Sequence, residues 1–72
     1  SIYPNPASNY VVIEGEKLQV KAIRIYDMMG KEVLRSKDVD KVDVSMLHSG
    51  IYILKIKTKN DQEYMEKLLV GR

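Results

Sequence analysis

The chain has no cysteine, no tryptophan and no phenylalanine among its 72 residues. Without cysteine, no disulfide can stabilise so small a chain, and no thiolate is available for metal binding or catalysis. With only five tyrosines, an exposed aromatic platform for sugar binding is also hard to build. A chain near this length buries only about 60% of the surface that it exposes when unfolded, so aliphatic packing must supply a modest stability.

The sequence is also poor in net charge and in long hydrophobic runs. Twelve lysines and arginines against ten acidic residues leave a formal net charge of +2, with both signs spread along the chain. This balance argues against a nucleic-acid partner and against a polybasic membrane anchor. No apolar run is long enough for direct membrane insertion as a helix, and no signal-peptide pattern opens the chain. We expect any targeting segment of a longer parent protein to precede Ser1.

Short alternating segments separated by turn residues run through the chain, and none keeps a convincing helical period beyond about eight residues. The strongest strand signal covers residues 50–58, where Tyr52, Leu54 and Ile56 share one face. Further strands are predicted at residues 10–13, 18–27, 32–37, 41–45 and 63–70. Together they predict an all-β fold: a small Ig-like antiparallel β-sandwich of about six to seven strands with Greek-key connections. We expect a single domain over residues 1–72.

Two segments in the first part of the chain carry finer predictions. Pro4 and Pro6 predict a stiff, extended lead-in, because proline fixes φ and removes a backbone donor. The apolar positions change phase near Lys21 and Ala22, which predicts a β-bulge or strand break, since a period of two cannot change parity without an extra residue.

Glycine and apolar residues carry further predictions in the middle of the chain. The segment 28–31 predicts a hairpin turn with Gly30 in the left-handed region. Ile51 and Ile53 are apolar on the face opposite Tyr52, so the first half of the strand 50–58 is expected to be covered on both faces.

A corner motif precedes this strand. In Greek-key sandwiches, a tyrosine just after a corner can turn its hydroxyl back to an upstream backbone carbonyl and fix the crossover between the sheets. Tyr52 is placed for that role, with Leu47 buried beneath the corner and Gly50 at the bend. The motif supports the fold strongly and a function only weakly.

His48 is the only histidine, and Ser45 and Ser49 flank it, so a nucleophile and a base can be imagined. A catalytic triad also needs an orienting carboxylate and an oxyanion hole in a sheltered cleft, for which a small sandwich has little depth. A solvated loop histidine is the favoured interpretation. We therefore predict that the chain is not an enzyme and carries no cofactor.

Three acidic residues lie close together in sequence, at Asp38, Asp40 and Asp43. Carboxylates in a loop can bind Ca²⁺. The spacing lacks the glycine and the terminal glutamate of a calcium-binding loop, and lysines lie among the acids. A solvated turn is favoured, and no metal site is predicted.

Lys55, Lys57 and Lys59 fall on one face of the predicted strand, and Lys67 lies on its neighbour. One interpretation is a solvent face whose charges protect a sheet edge from strand addition. The other is a basic stripe that docks an acidic partner.

Taken together, these features resemble the C-terminal sorting domain of the type IX (Por) secretion system, type A. The resemblance covers the whole chain and rests on a YPNPAS opening, an IRIYD segment with GKEV, a VDVS segment, Leu47 with SGIY, and a closing KLLV. His48 stands where the family pattern usually has proline, and Glu66 stands where a second basic residue is common.

The resemblance implies a C-terminal signal that directs a cargo protein across the outer membrane. Its implied partners are the outer-membrane translocon and the sortase components of that system, with the parent cargo domain on its N-terminal side. The implied location is the periplasm in transit, then the cell surface or the medium, often after removal by the sortase and surface attachment of the cargo.

We expect Lys67, Gly71 and Arg72 to contribute most to recognition, with Lys55 and Lys57 as further candidates, because a terminal strand can offer both its edge and its end to a partner. Two rival interpretations remain at this point. One is a passive Ig-like or fibronectin-like accessory or adhesion module of a secreted protein. The other is a module that associates weakly with itself through an edge strand.

Overall fold

The computed structural model of the chain describes residues 2–14, 19–37 and 41–71. These residues form seven strands: β1 (Ile2–Tyr3), β2 (Tyr10–Ile13), β3 (Val20–Tyr26), β4 (Glu32–Ser36), β5 (Lys41–Asp43), β6 (Gly50–Thr58) and β7 (Glu63–Val70). One sheet has the order β1-β2-β5 and the other β4-β3-β6-β7, with antiparallel pairing throughout. The prediction of a small antiparallel β-sandwich is confirmed, and the neighbours β2–β5 and β3–β6 are crossover pairings typical of a Greek key.

The core lies between the two sheets. Ile23, Ile25 and Leu54 of the four-stranded sheet are fully buried against Val11 and Val42 of the three-stranded sheet. In β6, buried residues from Tyr52 to Thr58 alternate with partly buried ones, as expected of a sheet with one face in contact with the core. The alternation predicted for residues 50–58 is therefore confirmed, together with the bounds of the strands predicted at 50–58 and 63–70.

The phase change in β3 is a β-bulge, as predicted. Val20 pairs with Thr58 and Ala22 with Lys57, so the register shifts between those two residues of β3. The extra residue lets Ile23 and Ile25 point into the core. Leu18, which was included in this predicted strand, lies outside the described residues.

The prediction of an extended lead-in is wrong, because the N-terminal segment contains a short strand followed by a bend. Ile2 and Tyr3 pair with β2, and the chain then bends at Pro4 and Pro6, each of which follows a cis peptide bond. Ala7 continues as an isolated parallel bridge to Val70. The first residues thus connect one sheet to the edge of the other.

The expected coverage of both faces of β6 is also wrong. Ile51 is 44% exposed and Ile53 is only partly buried. Both lie on the outer face of the four-stranded sheet, which no described strand covers. No helix of the described chain has the length and apolar character needed to cross a membrane.

Candidate recognition surface on the terminal strand

The C-terminal end of β7 is bound along its edge by residues 5–7, which we call the clasp. The Asn5 side-chain amide donates to the Lys67 carbonyl (3.0 Å), and its oxygen accepts the Leu69 N–H (2.9 Å). The Ala7 N–H donates to the Leu69 carbonyl (2.7 Å), and the Ala7 carbonyl accepts the Gly71 N–H (2.8 Å). The edge is therefore closed from the Lys67 carbonyl to Gly71.

The sequence of the clasp explains how it can seal an edge without forming a full strand. Pro4 and Pro6 have no N–H, so this segment carries few donors that need partners. The Asn5 carboxamide supplies a donor and an acceptor, as a peptide unit would. Ala7 is fully buried, and Pro6 lies in contact range of Gly71, where an added Cβ would meet Pro6 Cβ at 3.7 Å.

The other half of the same edge is open. The N–H and C=O groups of Leu69 both bond to the clasp and so point away from β6. Backbone groups of alternate residues in a strand point to the same side, so the N–H and C=O groups of the other odd-numbered residues of β7 also point away from β6. Glu63 and Met65 therefore present their N–H and C=O groups outward, and no described residue bonds to them. We call residues 63–67, up to the Lys67 amide, the open stretch.

The outer face of the four-stranded sheet places the predicted lysines beside this strand. Lys55 pairs directly with Met65, Lys57 with Glu63 and Ile53 with Lys67, so Lys67 is a diagonal neighbour of Lys55. The Lys55 ammonium lies 3.6 Å from the Glu63 carboxylate. Lys67 has no ion-pair partner in the described part of the chain.

The structure separates the remaining members of the predicted basic stripe. Lys59 lies past the end of β6, in the turn to β7, where its amide donates to the Gln19 carbonyl. Gly71 is part of this surface through its backbone N–H, which donates to the Ala7 carbonyl of the clasp. Arg72 lies outside the described residues.

Apolar side chains lie next to these lysines on the outer face. A groove runs between the hairpin turn and β7, lined by Tyr26, Met28, Ile53, Lys55 and Met65, among others. Met28 is 66% and Met65 69% exposed. The surface beside the open stretch is thus apolar with a cationic rim.

A second charged cluster lies on the far strand of the same sheet. The Glu32 carboxylate accepts hydrogen bonds from the Arg35 guanidinium at 3.1 and 3.2 Å, and Arg24 lies 3.8 Å away. The hydrogen bond to Glu32 raises the pKa of Arg35 above its usual value. Because both arginines lie against the Glu32 carboxylate, their positive charges are less available to a partner than that of Lys67.

The corner before β6 has the geometry that the tyrosine-corner motif requires. The Tyr52 hydroxyl donates to the His48 carbonyl at 2.7 Å, and Leu47 is buried beneath the corner. Gly50 does not have positive φ, and an added Cβ there would meet only Tyr52 Cε1, at 3.8 Å. A glycine is therefore not required at this bend, whereas Gly30, with φ 85°, occupies the left-handed region.

The described residues that were considered for catalysis or metal binding lie at the surface. His48, Ser45 and Ser49 are all exposed. The Asp43 carboxylate accepts the Ser45 N–H at 2.9 Å, and hydrogen bonds from Ser45 lower the pKa of Asp43. The described residues contain no group of three or more His, Cys, Asp or Glu side chains placed to share a metal ion. Asp38 and Asp40 lie outside the described residues.

Sequence reasoning missed two residues that organise this surface. Asn5 lies between the two prolines of the predicted lead-in, and its side chain bonds to a strand more than sixty positions away. Asp27 accepts hydrogen bonds from the Met29 and Lys31 amides and so shapes the turn that carries Met28. An aspartate at the first position of a turn is a known local signal, and it could have identified Asp27. No local signal could have identified the partner of Asn5.

The fold and the clasped terminal strand define a small β-sandwich whose N-terminal segment fixes the end of its last strand. The family model described as a secretion system C-terminal sorting domain matches residues 1–71, so the chain belongs to that family. It is a C-terminal secretion signal of the type IX system, and such a signal implies export to the cell surface or the extracellular space.

Two curated relatives match nearly all of the chain. It is 27% identical to an endo-acting ulvan lyase of Formosa agariphila over 73 aligned residues, covering 96% of this chain and 14% of that protein. It is 36% identical to beta-agarase D of Zobellia galactanivorans over 71 residues, covering 97% of this chain and 14% of that protein. The chain therefore spans about a seventh of the length of these relatives.

Proposed function

We propose that residues 1–72 act as one noncatalytic sorting domain joined to a larger cargo, and that the clasped end of β7 is the part that the outer-membrane translocon recognises. The cargo lies on the N-terminal side, and the folded domain meets the translocon from the periplasm. A sortase of the same system then removes the domain. The family match and the small share of each relative that the chain spans support this proposal.

The observation that carries the proposed site is the clasp itself. Four hydrogen bonds from Asn5 and Ala7 hold Lys67, Leu69 and Gly71 in one conformation. Their backbone edge is already occupied, so a partner cannot add a strand there without displacing the clasp. A partner instead meets the exposed Lys67 side chain, the outer face around it and the residues that follow Val70.

Within this surface, Lys67, Gly71 and Arg72 have different roles. Lys67 offers to an acidic partner an ammonium group that pairs with no described residue, and Lys55 and Lys57 extend the positive charge along the outer face. Gly71 is held by the clasp through its N–H, and the translocon reads Gly71 together with Arg72, which follows it in the sequence.

A transport assay tests this proposal. Residues 1–72 are fused to the C-terminus of a periplasmic fluorescent reporter in a bacterium with an intact type IX system, and surface and medium fluorescence are measured. We expect delivery that depends on the system, and loss of delivery when Gly71 and Arg72 are removed. Lys67→Ala should reduce delivery, whereas Lys59→Ala, an exposed lysine in the neighbouring turn, is the matched control.

Retention of the intact, folded fusion in the periplasm would contradict the sorting function and favour a passive module. Equal loss from Lys67→Ala and Lys59→Ala would leave the sorting function standing but remove the proposed site. Folding of each variant is checked by its thermal melt, so that a failure of export is not confused with unfolding.

A further inference from the structure

The open stretch of β7 is bounded on both sides. At its start, the hairpin turn closes with the Thr58 N–H donating to the Gln62 carbonyl, and Asp61 has φ 64°. At its end, Asn5 already occupies the Lys67 carbonyl. Strand addition on this edge is therefore confined to residues 63–67, with Met65 at the centre.

We propose that this open stretch is self-complementary, and that two copies of the chain pair through it as antiparallel strands centred on Met65. In that register, the two Met65 residues exchange both of their outward hydrogen bonds. Each Lys67 amide donates to the Glu63 carbonyl of the second copy. Both outward groups of Met65, the Glu63 carbonyl and the Lys67 amide, which no described residue bonds in one copy, thus find partners in the other.

The charges of the stretch match the same register. Glu63 and Lys67 lie on the same face of β7 and are equidistant from Met65. Two-fold pairing therefore places Glu63 opposite Lys67 of the second copy at both ends, and directly opposed opposite charges stabilise antiparallel strands. Lys67 gains a carboxylate that no described residue of its own copy supplies, and Glu63 lies between that ammonium and its own Lys55.

Registers shifted by two residues form fewer hydrogen bonds between the two open stretches. A shift of two residues in one direction places Glu63 opposite Leu69, whose edge the clasp already occupies. A shift in the other direction places Lys67 opposite Asp61, which belongs to the hairpin turn. Either shift loses hydrogen bonds between the two strands, so the pairing centred on Met65 is the favoured register.

The apolar groove favours pairing edge to edge rather than face to face. Edge pairing brings the two exposed Met65 side chains together on one continuous outer surface, next to both grooves. Stacking the outer faces would instead bring the lysines of one copy against those of the other. A contact of so few residues is small, so a weak dimer that depends on concentration is expected.

Charge reversal provides the test. Sedimentation equilibrium and amide NMR shifts are followed over a concentration series of the wild-type chain, and the shifts that change should be those of residues 63–67. Lys67→Glu and Glu63→Lys, each alone, create like-charge pairs at both ends and should weaken association about tenfold. An equimolar mixture of these two variants restores opposite charges and should re-associate. The double variant should also dimerise.

Two controls keep the result specific. Lys59→Glu reverses a charge outside the stretch and should leave association unchanged. Met65→Pro removes the outward amide without removing a bond to β6, so association should be lost while the thermal melt changes little. A chain that stays monomeric at about 1 mM overturns the proposal. So does association that the mixture of charge variants fails to restore, or that centres on other amides.

Discussion

Along the single strand β7, the edge beside Leu69 and Gly71 is sealed, whereas the edge beside Glu63 and Met65 is open. Both halves belong to the same exposed edge of one sheet, and the same neighbour, β6, pairs with both. The difference comes from the N-terminal segment, which covers one half and not the other. An exposed edge is a general hazard in β proteins, and here part of it is covered by the chain itself.

The comparison assigns different roles to the two halves. In the sealed half the outward backbone groups are bonded to the clasp, so this half is open to a partner through its side chains. In the open half the outward backbone groups of Glu63 and Met65 bond to no described residue, so this half is the one proposed to take another strand. Changes to β7 should therefore affect stability at the sealed end and association at the open stretch.

The largest expected effect compares two apolar residues of this strand. Leu68 is fully buried at the sealed end, and Met65 is 69% exposed in the open stretch. Leu68→Ala should lower the free energy of unfolding by about 2 to 5 kcal/mol through lost burial and a residual cavity. Met65→Ala should change it by less than about 0.5 kcal/mol. Urea denaturation measures both, and similar losses for the two variants would contradict the comparison.

The corner hydrogen bond gives the next largest effect. Tyr52 pairs with Leu68, and its hydroxyl reaches the His48 carbonyl from a largely buried ring. Tyr52→Phe should lower the free energy of unfolding by about 1 to 2 kcal/mol, because the carbonyl loses its donor. Urea titration at equal m-value is the measurement, with Tyr64→Phe, on an exposed ring, as the control. A loss below a few tenths of a kcal/mol would show that the corner bond is not stabilising.

The clasp itself is tested by removing its side-chain bridge. Asn5→Ala loses two hydrogen bonds to β7 and should lower the free energy of unfolding by about 1 kcal/mol, because both lie at an exposed edge. Hydrogen exchange of the Leu69 amide should also speed up, while that of Met65 in the monomer stays fast. Asn9→Ala is the matched control, because the Asn9 backbone carbonyl accepts the Val44 N–H while the Asn9 side chain bonds to no described residue. Unchanged protection of Leu69 in Asn5→Ala would show that the clasp does not seal this edge.

The sequence predicted the strands that make this comparison possible, but not the clasp. β6 and β7 are long and alternate regularly, so their bounds follow from the pattern. β1 has two residues, too few to show any period. The bonds of Asn5 join positions far apart in the chain, and the local pattern of prolines predicts only a stiff, extended lead-in. Whether an edge is covered depends on tertiary contacts, which the pattern of a strand does not encode.

The smallest expected effect concerns the last residues. Removing Gly71 and Arg72 deletes the bond from the Gly71 N–H to the Ala7 carbonyl, so the free energy of unfolding should fall by about 1 kcal/mol or less. For a chain of this size, the melting temperature should fall by no more than about 4 to 8 °C. Removing Arg72 alone keeps that bond and is the control. If both truncations stay folded and both lose export, the translocon reads the end of the chain, and the sealed half serves to hold that end in place. If the longer truncation unfolds the domain, Gly71 is structural, and the recognition surface must be sought at Lys67 and the outer face.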